Sequence, residues 1–371
     1  MTIDNLIENV DHQIIKIRTK SLDVSFNEIY DMYKNSELTI SPDYQRLFRW
    51  GKEKQSRFVE SLILEMPVPP IFVIEQEDGI YELIDGLQRI SSYLHFRGEC
   101  IGDATEGIDD EGSTTESLTL TGCDIVQELN GLTFDTLPKP LQIKLKRTFV
   151  RMEVIKKESE ISLKYHMFKR LNTGGELLSA QEIRNCTIRL LGSNGINFLN
   201  DCSNNEDYKS VIKFIGEDKR KSKYDQELAL RFFAMKNDLE SYKYPVTEFL
   251  TRFLEKITTG DAEFDFDKEK AIFEQTFSFI NRCLGENAFS GRTANGTFRN
   301  EFVLYYFDGI SVSTATLIDS LNNIEDTSEI KKAIDLIKYG DDLKSYKTGS
   351  VNGVRTRIKL FTEGVRKTLD R

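Results

Sequence analysis

The fold of this chain is decided by residues 81–91, which read Tyr81-Glu82-Leu83-Ile84-Asp85-Gly86-Leu87-Gln88-Arg89-Ile90-Ser91. An apolar, strand-like run stops at Asp-Gly, and a helix-compatible segment follows at once. A helix that starts there exposes backbone N–H groups, which together with the helix dipole favour anions. We therefore predict Asp85 as N-cap, Gly86 as the tight turn, and Gln88 and Arg89 as side chains that reach toward a phosphate. Taken alone, the segment favours a simpler explanation, a capped helix whose Arg89 forms a surface ion pair.

The sequence on either side of this stretch predicts a small sheet. Residues 71–75 and 80–84 flank Glu77-Asp78-Gly79, which indicates a β-hairpin whose second strand leads into Asp85. A helix over residues 52–65 is predicted to end at Pro67-Val68-Pro69-Pro70. Further strands are predicted at residues 38–41 and 149–155, and capping boxes predict helix starts after Ser25 and Ser179.

The sequence changes in character near residue 195, where strand patterns give way to amphipathic helical patterns. Residues 102–121 are acidic, rich in Gly, Ser and Thr, and without period, which predicts a solvent-exposed insertion loop. We predict an α+β N-terminal domain over residues 1–190, with a small mixed sheet. An all-α C-terminal domain over residues 195–371, with essentially no sheet, is predicted to follow.

Composition limits the classes of function. No apolar run approaches the roughly 18 residues of a membrane span, and no signal peptide is recognisable, so we expect a soluble, cytoplasmic protein without membrane contact. The net charge of −10 argues against DNA binding over the whole surface but leaves room for a local basic groove. The three histidines are too few and too scattered for an HNH nuclease, a HExxH protease or a multi-histidine metal site. Reduced thiols are expected for the scattered cysteines, Cys100, Cys123, Cys186, Cys202 and Cys283.

Several separated motifs occur in a fixed order along the chain. They are Pro42 with Tyr44-Gln45-Arg46 and Trp50, then Pro67-Val68-Pro69-Pro70-Ile71-Phe72, Ile84-Asp85-Gly86-Leu87-Gln88-Arg89, Phe168-Lys169-Arg170-Leu171-Asn172-Thr173-Gly174-Gly175, Leu178-Ser179 and Glu182-Ile183-Arg184-Asn185. Together they closely resemble the N-terminal domain family of GmrSD-type, modification-dependent restriction enzymes, a branch of the ParB/sulfiredoxin-like fold. The resemblance covers residues 20–190, and the helical remainder is compatible with the helical extension of that family.

The resemblance implies nucleotide-phosphate handling at residues 85–89, coupled in many relatives to DNA cleavage in bacterial defence against phage. Many members carry an HNH nuclease domain after the helical region. We expect none in this chain, and the histidine count agrees, so cutting would need a separate nuclease or defence subunit, or a metal site of carboxylates alone. The usual family signature is Asp-Gly-Gln-Gln-Arg, whereas this chain has Leu87 at the first Gln. Ligand selectivity differs if that amide touches the ligand, and nothing follows if it packs inward.

The candidate site is assembled from the motifs and from the chemistry of their side chains. Asp85, Gln88 and Arg89 are the predicted catalytic residues, and Asp85 is also the predicted ligand of Mg²⁺, which prefers carboxylate and phosphate oxygens. The residues that contact the ligand are predicted to be held in position by a second layer of side chains, Glu182, Arg184 and Asn185. The predicted nucleotide- and phosphate-binding residues are Tyr44, Gln45, Arg46, Gly86, Arg170 and Asn172.

Three functions remain open at the level of sequence. The first is an NTPase of a restriction-type anti-phage system that binds and hydrolyses a nucleotide and acts on or senses DNA. The second is a non-catalytic sensor of modified or phage DNA that uses the same anion-binding turn. The third is a regulatory interaction subunit that works with a separate nuclease.

Overall fold

The computed structural model describes residues 5–7, 10, 18–40, 48, 50–99, 117–160, 167, 170, 179–293 and 295–370. The chain divides into two compact units, Met1–Glu176 and Leu177–Arg371. The predicted boundary near residue 190 lies beyond helix Ala180–Ile188, which belongs to the second unit.

The first unit combines strands and helices, as the sequence predicts. Its strands are β1 (Thr19–Ser25), β2 (Leu38–Thr39), β3 (Ile71–Glu75), β4 (Tyr81–Asp85) and β5 (Phe149–Ile155). Its helices are α1 (Phe26–Lys34), α2 (Lys52–Ile63), α3 (Leu87–Phe96) and α4 (Lys139–Arg147).

The strands form one mixed five-stranded sheet in the order β1-β5-β3-β4-β2. Strands β3 and β4 pair antiparallel as the predicted hairpin, while β3 is parallel to β5 and β4 is parallel to β2. Ile71, Val73, Leu83 and Ile84 are buried, because the central strands are covered by other elements. The α+β class, the small mixed sheet and the strand–turn–helix order around Gly86 are thus confirmed.

The end of the predicted insertion loop differs from expectation. Only residues 117–121 of the segment 102–121 fall within the described ranges, and there Leu118 and Leu120 are buried. Leu120 N–H donates to the Leu132 carbonyl at 2.9 Å, and Gly131 N–H donates to the Leu120 carbonyl at 2.8 Å. These five residues form no helix or strand, as a loop requires, but Leu118 and Leu120 are not solvent-exposed, because the alternate leucines pack inward despite the polar composition.

In the part that the structure describes, the second unit consists of helices joined by turns and irregular segments, and its one β feature is an isolated bridge between Arg292 and Phe298. This confirms the prediction that residues 195–371 hold essentially no sheet in their described part. The helices are α5 (Ala180–Ile188), α6 (Asn194–Ser203), α7 (Glu206–Val211), α8 (Glu217–Lys221), α9 (Tyr224–Asn237), α10 (Val246–Thr259), α11 (Phe266–Leu284), α12 (Leu304–Thr316), α13 (Ile318–Leu321), α14 (Ser328–Tyr339) and α15 (Val351–Leu369).

A buried charge cluster joins three of these helices. Asp308 on α12 is 1% exposed and accepts hydrogen bonds from Arg231 on α9, at 2.8 Å from Nη2, and from Arg357 on α15. Burial acts to raise the pKa of Asp308, but the two guanidiniums outweigh it and hold that pKa below its ordinary value. The carboxylate thus neutralises cations that would otherwise be buried unpaired.

Candidate functional site

Gly86 makes the turn between β4 and α3 possible. Its φ of +102° lies in the left-handed region, and a Cβ built on it would lie 2.6 Å from Cγ2 of Ile71. Only glycine adopts this conformation without strain and leaves room for the neighbouring strand. The close approach of Ile71 shows that sheet packing, as well as turn geometry, requires glycine here.

The helix cap differs by one residue from the prediction. Gly86, not Asp85, is the N-cap of α3, and no side chain caps the helix. Asp85 is instead the last residue of β4. The N-cap assignment was wrong because the chain reverses at the left-handed glycine, and this places Asp85 one step too early to cap α3.

Although Asp85 is not the N-cap, its carboxylate lies at the start of α3. It accepts a hydrogen bond from Nη2 of Arg89 at 3.0 Å and another from the Gly86 N–H. Burial raises the pKa of Asp85, and the Arg89 charge and these hydrogen bonds partly offset that rise. The turn therefore contains a partly desolvated carboxylate whose charge is matched by Arg89.

Arg89 is held between two acceptors. Its guanidinium donates to Asp85 and also to the carbonyl of Pro69, and only 13% of its side chain is exposed. Pro69 belongs to the Pro67–Pro70 loop before β3, so this loop and β4 together orient the arginine. The simple surface ion pair that the sequence favoured is thus only part of the arrangement, since Pro69 adds a second, fixed partner.

Gln88 anchors the backbone that enters α2. Its Oε1 accepts a hydrogen bond from the Trp50 N–H at 3.1 Å, and Nε2 of Gln55 donates to the Trp50 carbonyl at 2.6 Å. Oε1 of Gln55 in turn pairs with Nδ1 of His95 at 2.8 Å. The predicted catalytic Gln88 therefore has a positioning contact in this structure.

Leu87, the departure from the usual family signature, has a buried side chain. A residue at this position points into the core and not toward a ligand at the turn. The sequence left open whether this position touches the ligand or packs inward. The structure supports the second possibility, in which Leu87 does not alter ligand selectivity.

The predicted phosphate-binding residues are described only in part. Tyr44, Gln45, Arg46 and Asn172 lie outside the described residues, and Arg170 is an exposed residue in helical conformation. The chain that flanks residues 41–47 is nevertheless fixed at both ends. On one side β2 runs parallel to β4, so both strands end at the same sheet edge, and on the other side Trp50 bonds to Gln88.

The predicted second layer of the site, Glu182, Arg184 and Asn185, belongs to the second unit. Arg184 is buried and donates to Glu227 at 2.9 Å and to Thr251 Oγ1 at 3.0 Å, while Asn185 Nδ2 donates to Gln226 at 2.6 Å. Glu182 completes the predicted capping box with Ser179. These described contacts hold α5 within the helical unit, and the supporting role of Arg184 and Asn185 at the site stays a prediction.

The described residues by themselves provide few ligands for a metal ion. Among them, no group of three or more His, Cys, Asp or Glu side chains is placed to hold one. At the turn, the Asp85 carboxylate is already engaged by Arg89 and Gly86. Mg²⁺ here would take most of its ligands from nucleotide phosphates and water, as Mg²⁺ commonly does.

Sequence reasoning missed Ile71, Pro69 and the Gln55–His95 pair. Ile71 and Pro69 stand in the proline-rich motif, which was a signal that this loop approaches the turn. Nothing in the local sequence links Gln55 or His95 to Trp50.

A comparison with protein families matches most of the first unit together with α5 of the second. The family model described as "GmrSD restriction endonuclease, N-terminal domain" matches residues 26–189. These residues belong to the GmrSD N-terminal domain family. The match includes strands β2 to β5, the turn and Trp50, and it ties the chain to restriction-type anti-phage systems. Comparisons with curated proteins and with solved structures gave no significant match. No helix within the described residues has both the length and the apolar character needed to cross a membrane.

Proposed function

We propose that the GmrSD domain of this chain binds a nucleotide through its phosphates at the Asp85–Arg89 turn and hydrolyses it. The observation that carries the proposal is the start of α3, where a left-handed Gly86 leaves the helix without a side-chain cap and Arg89 lies beside it. Uncapped N–H groups, the helix dipole and a guanidinium are the elements with which proteins bind phosphate.

The Asp85–Arg89 pair gives the turn two states. Without ligand, Asp85 supplies the negative charge that Arg89 needs. A phosphate replaces it as the acceptor, since a planar guanidinium binds two phosphate oxygens at once. Asp85 is then released beside the phosphate, where its carboxylate can orient a water molecule for attack.

The remaining motif residues complete the proposed pocket. Tyr44, Gln45 and Arg46 follow β2 in the sequence, and we propose that they contact the same phosphates as Arg170 and Asn172. Mg²⁺ would neutralise phosphate charge, with Asp85 as its proposed protein ligand. In the restriction-type system, the chain is proposed to act on or sense DNA, with cleavage assigned to a separate nuclease subunit.

Removal of the Arg89 guanidinium should weaken nucleotide binding. We expect Arg89→Ala to lose about 1.5–3 kcal/mol of binding free energy, the usual contribution of a charge-assisted hydrogen bond. Titration calorimetry with ATP and GTP in the presence of Mg²⁺ measures the change. Arg57→Ala is the matched control, because Arg57 is an exposed arginine on α2 whose described partners are Glu53 and the Gly122 carbonyl.

A variant of Asp85 should distinguish nucleotide binding from nucleotide hydrolysis. Asp85→Asn keeps the shape of the side chain and removes the charge that competes for Arg89, so we expect nucleotide binding to persist while phosphate release falls. Equal phosphate release by the wild type and both variants would contradict the assigned site. Salt-dependent DNA binding without any nucleotide consumption would instead select the non-catalytic sensor.

A further inference from the structure

The backbone of Trp50 is held at both of its polar groups by glutamine side chains. Its N–H donates to Oε1 of Gln88 on α3 at 3.1 Å, and its carbonyl accepts a hydrogen bond from Nε2 of Gln55 on α2 at 2.6 Å. Trp50 lies directly before Gly51, the N-cap of α2. The two glutamines therefore clamp the chain between the starts of α2 and α3.

His95 supports this clamp from the other end of α3. Gln55 is only 5% exposed, and its Oε1 lies 2.8 Å from Nδ1 of His95. Gln88 and His95 are separated by about two helical turns, so their side chains lie on one face of α3. Gln55 thus connects His95, near the end of the helix, through Trp50 to Gln88 at its start.

The donors and acceptors of the clamp fit together in one way. The Trp50 carbonyl only accepts, so the Gln55 atom that faces it is the amide nitrogen, and Oε1 faces His95. This oxygen also only accepts, so Nδ1 of His95 carries a proton. The Trp50 N–H in turn requires the oxygen of Gln88, and this fixes the direction of Nε2, the donor of that side chain.

We propose that Gln55 and His95 are positioning residues that set the orientation of the Gln88 amide at the start of α3. The inference rests on the proposed function, in which nucleotide phosphates bind at this turn. Phosphate oxygens accept hydrogen bonds, so Gln88 contributes to the reaction through Nε2. The clamp determines where that donor lies.

Arg89 is oriented by other partners. Its guanidinium is held by Asp85 and by the Pro69 carbonyl, which are not members of the clamp. The cation that binds phosphate and the amide of Gln88 are thus positioned separately. Loss of the clamp should therefore reduce the rate of hydrolysis and leave the affinity for nucleotide almost unchanged.

Phosphate release from ATP and GTP by the full chain in the presence of Mg²⁺ tests the proposal. Gln55→Met keeps an unbranched side chain of similar length and removes both hydrogen bonds of the amide. We expect kcat to fall about tenfold or more, because displacement of a catalytic group carries a cost of this size. The nucleotide dissociation constant should stay within about twofold of the wild type. In a Gln88→Met background, Gln55→Met should have almost no further effect on kcat, because Gln55 acts through Gln88.

Two variants of His95 separate positioning from packing. His95→Asn retains an N–H donor close to the place of Nδ1, so kcat should stay within about threefold of the wild type. His95→Leu removes the donor and should lower kcat as Gln55→Met does. Equal kcat values for the two His95 variants would overturn the proposal, and this comparison decides the question if Gln55→Met does not fold.

Gln142→Met is the matched control. Gln142 lies on α4 of the same unit, and its Nε2 donates to the carbonyls of Phe134 and Leu137 at 3.1 and 2.9 Å. Its replacement breaks hydrogen bonds of the same kind away from the clamp, so kcat should not change. Trp50 is the single tryptophan of the chain, so quenching of its emission by acrylamide should rise in Gln55→Met and stay unchanged in Gln142→Met. Circular dichroism should show that the variants keep the fold.

The outcomes for this inference and for the proposed function are distinguishable. A wild-type kcat in Gln55→Met, an equal loss in Gln142→Met, or additive losses with Gln88→Met would overturn the inference while the proposed function stands. A wild-type protein that releases no phosphate from either nucleotide would contradict the proposed function, and the inference would fall with it.

Discussion

Replacement of Asp308 by alanine should lower the free energy of unfolding by about 3–5 kcal/mol, the range measured when one partner of a buried ion pair is removed. Asp308 is the acceptor shared by Arg231 and Arg357, which are themselves buried. Without it, two guanidiniums remain in the interior of the helical unit with no counter-charge.

Urea unfolding followed by far-ultraviolet circular dichroism measures this loss. The control is Asp341→Ala, which removes an exposed carboxylate paired with Lys344 on the surface and should leave the midpoint almost unchanged. An Asp308→Ala midpoint equal to that of the control would show that the triad does not stabilise the unit.

The effect of Asp308→Ala should depend on pH in one direction. The folded pKa of Asp308 is lowered, so its contribution is fully present above the unfolded pKa of about 3.9. It is lost as pH falls through the folded pKa. The stability difference between wild type and Asp308→Ala should therefore shrink in acid and be largest near neutral pH.

The second large effect is expected at Gly86. Gly86→Ala should destabilise the first unit by about 2–5 kcal/mol, from about 1–2 for a left-handed alanine and about 1–3 for overpacking against Ile71. It should also abolish nucleotide binding, because a shift of the turn moves Asp85, Arg89 and the start of α3 together. The chain has a single tryptophan, and Trp50 bonds to Gln88 in this helix, so its fluorescence reports the change directly.

Gly79→Ala is the matched control for this variant. Gly79 also has a positive φ, +77°, but a Cβ there would meet no atom within 4 Å. Replacement of Gly79 by alanine should lower the free energy of unfolding only by the cost of placing alanine in the left-handed conformation, without a packing cost. In an Ile71→Ala background, the extra cost of Gly86→Ala should fall toward that of Gly79→Ala, since the clashing methyl group is gone. Equal costs for the two glycine variants in the wild-type background would contradict the packing argument.

The sequence predicted the hairpin, the turn and the following helix because these are encoded within about twenty consecutive residues, as local turn and periodicity signals are. These three elements are determined mainly by local sequence, that is by Gly79, Gly86 and the apolar strand residues. The family was recognisable for a related reason, since its motifs keep their order along the chain. The single-residue error at the cap arose because Asp and Gly both favour helix starts, and only the backbone conformation distinguishes them.

Contacts between distant segments could not be predicted. Arg89 bonds to a proline carbonyl twenty residues away, Gln88 bonds to Trp50, and Asp308 pairs with Arg231 and Arg357 on other helices. Such partners depend on how the elements pack, which one sequence does not specify. For the same reason, the sequence did not show that Arg184 and Asn185 pack with α9 and α10 of the second unit.

A crystal structure with a non-hydrolysable nucleoside triphosphate and Mg²⁺ would show directly whether the nucleotide phosphates bind at the Asp85–Arg89 turn. We expect a phosphate at the start of α3, within hydrogen-bonding distance of the Arg89 guanidinium, with the Asp85–Arg89 hydrogen bond broken. A nucleotide bound elsewhere, with Arg89 still held by Asp85 and Pro69, would contradict it.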